Sequence, residues 1–190
     1  SVHNHIKALI HDDFLSFNGQ TSGRVYTLGK KRFHDGIFSL KGLSESDVYL
    51  KDFRSIFNGL PENIERICYY GFTEILNNAI DHSEGSEVYI NASLDQEQIK
   101  IVIKDNGEGI FKRIARLINL KDPRESILEL SKGKLTTDEA NHTGQGIFFT
   151  SRAFDKFYII SDELVFSHNE DYKRDYLMHD QDVVTGTTVM

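Results

Sequence analysis

The chain has 190 residues, of which 39% are hydrophobic and 27% are charged, and its formal net charge is −7. This length suits one domain or one domain with a small addition, and the composition is that of a chain that can bury a core. No apolar run reaches the roughly 20 residues that span a bilayer, so we expect no membrane anchor. The net negative charge argues against nonspecific nucleic-acid binding by the whole chain, because such binding depends on Lys and Arg. The single cysteine, Cys68, cannot form an internal disulfide, and we therefore expect a cytoplasmic protein.

Charge is distributed unevenly along the chain. Residues 1–34 carry five basic and two acidic side chains, a net charge of +3, which leaves −10 for the remainder. An asymmetry of this size predicts two modules with different partners. We therefore divide the chain into an N-terminal segment with its linker, residues 1–45, and a larger domain, residues 46–190.

The N-terminal segment combines a helical pattern with a hairpin pattern. Apolar residues at helical spacing predict a helix over residues 2–15, and strand-like runs at 14–17 and 25–28 around Asn18-Gly19 predict a β-hairpin. Together, the helix, the hairpin and the basic run resemble the last part of a winged helix-turn-helix. We therefore expect this chain to be a piece of a longer parent protein that binds DNA. A helix and hairpin that only pack on the following domain are the alternative. The residues expected to contact DNA in the parent protein are His3, Asn4, Lys7 and Arg24.

A long amphipathic helix is predicted after Pro61, a residue that suits the first turn of a helix. Apolar residues recur through residues 64–80 at steps of three and one, as on the buried face of a helix. Glu74, Asn78 and Asp81 fall on one edge of that face, where polar groups are half-buried. Glu74 and Asn78 are one turn apart, and their oxygens are of the kind that Mg²⁺ binds together with phosphate and water. A solvated helix face would explain each of them equally well.

Glycine-rich turns follow this helix. The first, Asp105-Asn-Gly-Glu-Gly-Ile110, directly follows a predicted strand, and the second, Thr143-Gly-Gln-Gly-Ile147, opens a predicted helix. Glycines at a junction between loop and helix let backbone N–H groups close on a phosphate. Neither a Walker motif nor a dinucleotide-binding fingerprint is present. Strands are predicted over residues 87–94, 98–104, 156–160 and 183–190.

The order of these motifs resembles the gyrase, chaperone, histidine-kinase and mismatch-repair ATPase superfamily (GHKL). The resemblance covers roughly residues 55–190. It implies an α+β fold, a two-layer α/β sandwich whose mixed sheet is covered by helices on one face, with a mobile ATP lid over residues 111–141. It also implies ATP and Mg²⁺ as ligands. The matching motifs are Glu74-x3-Asn78-Ala79-x-Asp81-His82, Asp105-Asn-Gly-x-Gly109-Ile110, Gly144-x-Gly146-Ile147 and Gly186-Thr187-Thr188.

The resemblance implies roles for individual residues. Asn78 would ligate the Mg²⁺ that bridges the phosphates, Asp105 would accept a hydrogen bond from the adenine amino group, and Thr187 would join that network. Glu74 would act as general base on water or on a serine hydroxyl. Further nucleotide-binding positions are Asp81, Gly107, Gly109, Ile110, Thr143, Gly144, Gln145, Gly146 and Ile147. Basic lid residues that could reach phosphate, although most are expected to be solvated, are Lys112, Arg113, Arg116, Lys132 and Lys134.

Several functions are compatible with these motifs. We favour an ATP-dependent switch or ATPase in a bacterial-type transcriptional regulator, because of the winged-helix-like segment. A protein serine kinase similar to anti-sigma factors is an alternative that the motif around Glu74 favours, although such kinases need neither the N-terminal segment nor so long a lid. A sensor histidine kinase is another, since His11 is followed by acids as in a phosphoacceptor box, but the predicted helix ends too soon. A non-catalytic nucleotide-binding module with a protein partner is a further alternative, against which Glu74 argues.

Overall fold

The computed structural model of the protein describes residues 2–131 and 146–190. Its architecture is α+β, with a small helix and hairpin followed by a five-stranded sheet and its helices. The α+β fold class predicted from the sequence is confirmed, whereas the sheet that was expected to be mixed pairs its described neighbouring strands antiparallel throughout. Within the described residues, no helix combines the length and apolar character needed to cross a membrane.

The N-terminal unit, residues 2–28, consists of α1 (Val2–His11), β1 (Leu15–Asn18) and β2 (Val25–Leu28). The two strands pair antiparallel, as the sequence predicts. The helix is shorter than the predicted 2–15, because Asp13 takes a left-handed conformation with a φ of 61°, which a helix cannot continue through. The connection between the strands is also longer than a two-residue turn, since it includes the 3₁₀ turn Thr21–Gly23.

The central sheet has the strand order β3-β4-β5-β7-β6, and its neighbouring strands pair antiparallel. In β4 every second side chain is buried, which is the alternation expected of a sheet with one covered face. The strands are β3 (Arg32–Ser39), β4 (Glu87–Leu94), β5 (Ile99–Asp105), β6 (Lys156–Asn169) and β7 (Arg174–Val189).

Strands β6 and β7 extend well beyond the sheet. β7 pairs with β5 only through Thr188 and Val189, whereas it pairs with β6 as far as Arg174. The register shifts on either side of Asp162, where the two strands leave the sheet as a two-stranded ribbon (residues 162–184). The predicted strands at 156–160 and 183–190 are therefore confirmed but too short.

The helices contribute most of the core. α4 buries Cys68, Phe72 and Leu76, and it begins directly after Pro61 as predicted. The hydroxyl of Ser44 accepts a hydrogen bond from the Asp47 N–H at 3.3 Å and caps α2. The helices are α2 (Glu45–Val48), which continues through the π turn Tyr49–Phe53 into α3 (Arg54–Phe57), then α4 (Glu62–His82), α5 (Ile110–Leu117), α6 (Glu125–Ser131) and α7 (Gly146–Ala153).

Strand β3 was not expected, because Arg32, His34 and Gly36 interrupt an apolar alternation on its inward face. It lies before the 45/46 division of the sequence and pairs with β4 along its whole length. The Arg32 Nη1 atom donates to the Ile56 carbonyl at 2.9 Å and also to the Asn58 carbonyl, at the end of α3. The division into two domains stays a prediction, and this pairing favours a boundary near residue 31.

Candidate functional site

The candidate site is centred on Asp105, the last residue of β5, which is only 6% exposed. Its Oδ1 atom accepts hydrogen bonds from the backbone N–H groups of Gly107, at 2.8 Å, and Thr187, at 3.2 Å. Burial raises the pKa of the Asp105 carboxyl above its ordinary value, and these hydrogen bonds act in the opposite direction. A buried carboxylate held by backbone donors is a fixed acceptor, which suits recognition of an amino group.

Close backbone contacts surround this carboxylate. A Cβ atom on Gly107 would overlap the backbone oxygen of Ser83, at the end of α4. A Cβ atom on Gly186, whose φ is +77°, would overlap the backbone oxygen of Asp105. Only glycine fits these two positions without a shift of the backbone, so the chain segments lie directly against one another.

The start of α5 is joined to the same group of residues. The Ile110 N–H donates to Thr187 Oγ1 at 2.9 Å, so the hydroxyl next to Asp105 also holds the first turn of α5. Gly109 precedes this turn with a φ of +94°, and a Cβ atom there would lie 2.6 Å from Ser161 Oγ. The first glycine motif and the Gly186-Thr187 motif, far apart in the sequence, are therefore in contact.

The polar edge of α4 faces the start of α7. A Cβ atom on Gly146 would overlap Glu74 Oε2, so this carboxylate lies against the first residue of α7. One turn further along α4, the Asn78 Nδ2 atom is buried and has no hydrogen-bond partner among the described residues. Asp81 is exposed in the last turn of the same helix. Two of the three edge residues are thus half-buried, as the helical pattern predicts, and the third is not.

The comparison with known families agrees with this geometry. The sequence model of the family described as histidine kinase-, DNA gyrase B- and HSP90-like ATPases matches residues 64–158, half of the chain. The chain belongs to this family. The search of the curated proteins found no match. Membership of the family of histidine kinase-, DNA gyrase B- and HSP90-like ATPases implies that the chain binds an adenine nucleotide.

The residues present fit the Mg²⁺ that such ATPases bind with the nucleotide. Among residues 2–131 and 146–190, no group of three or more His, Cys, Asp and Glu side chains could hold a metal ion. An Mg²⁺ ion does not need such a group, because it commonly takes one or two protein oxygens and completes its shell with phosphate and water. Asn78 carries an amide oxygen that could ligate the ion, and its buried Nδ2 group, which has no partner among the described residues, could donate to a phosphate oxygen.

Part of the second glycine motif is not described. Thr143, Gly144 and Gln145, together with Lys132 and Lys134 of the expected lid, lie outside the described residues. Ile147 lies in the first turn of α7 and packs against the core. Ile147 therefore has a structural role, and its nucleotide-binding role stays a prediction.

The basic residues of α5 are engaged with acidic side chains. Lys112 pairs with Asp162 at the base of the ribbon, and Arg113 pairs with Glu84 at 2.5 Å. Arg116 donates to both oxygens of Glu108, at 2.8 and 2.7 Å, and lowers the pKa of that carboxyl. Each of these cations would have to leave a carboxylate to reach a phosphate, so the expectation that most of them do not bind phosphate is favoured.

The residues proposed for DNA contact are all on the surface. His3, Asn4 and Lys7 are exposed on α1, and Arg24 is exposed just before β2. The guanidinium of Arg24 lies 4.3 Å from the centre of the Phe17 ring. They lie in a different unit from Asp105.

Sequence reasoning missed two serines at the site. The backbone oxygen of Ser83 accepts from the Glu108 N–H at 2.9 Å, and its hydroxyl accepts from the Gly85 N–H at 3.0 Å. Its position directly after the motif that ends at His82 was a usable signal. Ser161 had no such signal, because the strand was predicted to end at residue 160 and a single buried serine has no sequence pattern.

Proposed function

We propose that this chain is the ATP·Mg²⁺-dependent switch of a transcriptional regulator, with Glu74 supporting slow ATP hydrolysis. The observation that carries the proposal is the position of the Glu74 carboxylate against Gly146, at the first turn of α7. This places a potential base beside a helix N-terminus, where phosphate groups are favourably bound. The buried carboxylate of Asp105 supplies the separate recognition element for adenine.

Adenine recognition rests on the hydrogen-bonding capacity of Asp105. An ionised carboxylate accepts a hydrogen bond from the 6-amino group of adenine, whereas guanine presents a carbonyl oxygen at that position. We expect calorimetry to show Mg²⁺-dependent binding of ATP and much weaker binding of GTP. Absence of Mg²⁺-dependent adenine-nucleotide binding would refute the central claim.

Glu74 is proposed as the general base. It would take a proton from a water molecule whose oxygen forms the new bond to the γ-phosphorus while the bond to the ADP oxygen breaks. The products are ADP and inorganic phosphate, and the proton passes from Glu74 to solvent. Mg²⁺, held by Asn78 and the phosphates, would neutralise negative charge on the nucleotide.

The Glu74→Gln variant tests this role, because it keeps the shape of the side chain but cannot accept the proton. We expect ATP affinity within about twofold of wild type and phosphate release reduced about 10²–10⁴-fold. Glu62→Gln is the matched control, since Glu62 is exposed on the same helix and pairs with Arg66 at 2.5 Å. Equal turnover in the Glu74 variant and wild type would remove Glu74 from the mechanism.

DNA binding is proposed for the parent protein, through the N-terminal unit. Residues 1–34 have a net charge of +3, and the four proposed contact residues are exposed. In the full-length parent, Lys7→Ala and Arg24→Ala should each reduce the salt dependence of DNA affinity, by roughly one counterion per lost phosphate contact. Lys51→Ala is the control, because Lys51 is exposed in the other unit and pairs with Asp47 at 2.8 Å. Unchanged salt dependence in the first two variants would contradict the proposal.

A protein serine kinase remains the second candidate, because the position of Glu74 beside Gly146 would equally serve a serine hydroxyl. A histidine kinase is less favoured. His11 is the last residue of α1 and its Nδ1 atom lies 3.0 Å from Asp12 Oδ1, so the helix does not continue past it. Incubation of the parent protein with γ-labelled ATP separates the candidates, since the label would appear in free phosphate, phosphoserine or phosphohistidine.

A further inference from the structure

Ser161 is a fully buried polar residue of β6 that lies next to the Asp105 site. Its hydroxyl donates a hydrogen bond to the Gly186 carbonyl oxygen at 2.9 Å. In the sheet register it pairs with Thr187, directly before the irregularity at Asp162. A buried hydroxyl at this position is not needed for the pairing of the strands, which uses backbone groups.

The Gly186 carbonyl and the Thr187 N–H belong to the same peptide unit. Because that unit is planar, fixing the direction of the carbonyl also fixes the direction of the N–H. Ser161 holds the carbonyl end, and Asp105 Oδ1 accepts from the N–H end at 3.2 Å. The unit is therefore held from both sides.

Such a restraint matters because the residue before the peptide bond is glycine. Gly186 has a φ of +77°, and glycine has access to more backbone conformations than any other residue. Without the Ser161 hydroxyl, the 186–187 peptide could rotate and turn its N–H away from Asp105. The carboxylate would then lose one of the two backbone donors that orient it.

We propose that Ser161 is a positioning residue for adenine recognition, which it supports by fixing the 186–187 peptide that orients the Asp105 carboxylate. The proposal rests on the role of Asp105 proposed above. Gly109 supports the same assignment, since a Cβ atom there would lie 2.6 Å from Ser161 Oγ. Ser161 thus contacts two of the segments that enclose Asp105.

The test measures nucleotide selectivity in the 190-residue chain, by calorimetry with ATP and with purine riboside triphosphate, which has hydrogen in place of the 6-amino group. For Ser161→Ala we expect ATP affinity to fall about three- to tenfold, with little change for the analogue. The ratio of the two affinities therefore falls by the same factor. Ser161→Cys keeps a small side chain with a weak donor and should give an intermediate ratio.

Ser167→Ala is the matched control. Ser167 is also buried on β6, but it pairs with Tyr176 in the ribbon, and its removal should leave the ratio unchanged. Thermal denaturation of each variant verifies that it is folded. If Ser161→Ala fails to fold, the smaller change Ser161→Cys decides the matter, and a wild-type ratio in that variant would overturn the proposal.

The remaining outcomes separate this proposal from the one on which it rests. Equal losses of affinity for both nucleotides in Ser161→Ala would indicate a merely structural role and overturn the positioning role alone. Equal affinity of the wild-type chain for ATP and the analogue would refute adenine recognition by Asp105, and the role of Ser161 with it.

Discussion

The N-terminal unit and the rest of the chain differ in how their elements are held. In α1, all ten residues of which are described, no side chain is buried, and all four side chains of β2 are exposed. By contrast, α4 alone buries six residues and contacts a core that includes Phe53, Phe57 and Phe111. A helix of ten residues and a two-stranded hairpin are marginal by themselves. The comparison teaches that the buried core lies in the sheet and its helices, which include the part of the chain that the ATPase family model matches, whereas the N-terminal unit is mostly exposed.

Truncating one aromatic residue in each unit should give the largest difference in stability between the two units. Phe72 is 0% exposed and packs edge-on against Tyr49 and at a tilt against Phe53, so Phe72→Ala should lower the free energy of unfolding by about 3–5 kcal/mol. Phe17 is 42% exposed and mainly meets Tyr26 and Arg24, so Phe17→Ala should cost at most about 1 kcal/mol. Urea denaturation measures both changes, and equal losses of stability in the two variants would contradict the proposed difference between the two units.

Substituting one glycine in each unit should give a smaller difference in stability between the two units. Gly107→Ala places a methyl group on the backbone oxygen of Ser83 and should cost about 1–3 kcal/mol, with weaker ATP binding. Around Gly23, no heavy atom that the structure describes lies within 4 Å of the added carbon apart from those of Gly23 itself and of the two adjoining residues. Gly23→Ala should therefore leave stability unchanged or raise it by up to about 1 kcal/mol. Thermal melts with and without ATP measure both effects; an unaltered melt for Gly107→Ala would be inconsistent with this crowded backbone.

The adjacent residues Lys31 and Arg32 test where the boundary between the two regions lies. Arg32 donates to carbonyls at the end of α3, so Arg32→Ala should cost about 1–3 kcal/mol. Lys31 has its ammonium 5.3 Å from the Phe14 ring, and Lys31→Ala should change stability by less than about 0.5 kcal/mol. If chemical denaturation gives the reverse order, the boundary near residue 31 is wrong.

Two carboxylates, Asp105 at the end of β5 and Asp95 in the turn before that strand, should change stability with pH in opposite directions, and these are the smallest expected effects on stability. Burial raises the pKa of Asp105 above 3.8, so its contribution to stability is present below that value and is lost as pH rises through the folded-state pKa. Asp105→Asn avoids this loss and should be at least as stable as wild type near neutral pH, although its ATP affinity falls about 10–100-fold.

Asp95 is the opposite case, since hydrogen bonds from the Glu97 and Gln98 N–H groups lower its pKa below 3.8. Its contribution is present above that value and is lost as pH falls through the folded-state pKa. Asp95→Asn should therefore be slightly less stable than wild type near neutral pH, with normal ATP affinity. Denaturation midpoints across the acidic range distinguish the two variants; shifts of the same sign would contradict the burial of Asp105.

The sequence predicted secondary structure best where a single hydrophobic pattern runs through the whole element. The helical periodicity of residues 64–80 predicted α4, and the alternation in 87–94 predicted β4 with the observed bounds. It failed at β3, whose inward face carries Arg32 and His34, because these residues act through tertiary contacts. The helices α5 and α6 within the expected lid were not anticipated either.

The candidate site was likewise predictable only where it is formed by residues close together in the sequence. Motif spacing was enough to name Asp105 and Gly107, because both lie on one continuous turn. It was not enough for Ser161, whose hydrogen bond joins residues 25 positions apart. A contact of that kind depends on the register of β6 against β7, and the irregularity at Asp162 shifts that register. Long-range polar contacts at irregular strands are therefore what a single sequence does not reveal.

The ribbon of β6 and β7 has a mechanical consequence. β7 pairs with β5 only through Thr188 and Val189, so the resistance of the ribbon to a sideways load on its tip depends largely on its other contacts, which include the ion pair between Arg152 of α7 and Asp175 and the buried side chain of Phe166. The first irregular backbone that such a load would meet includes Asp162, with a φ of 53°, and Gly186, with a φ of 77°. A load on the far end of the ribbon would therefore be shared between α7 and the backbone that adjoins Asp105.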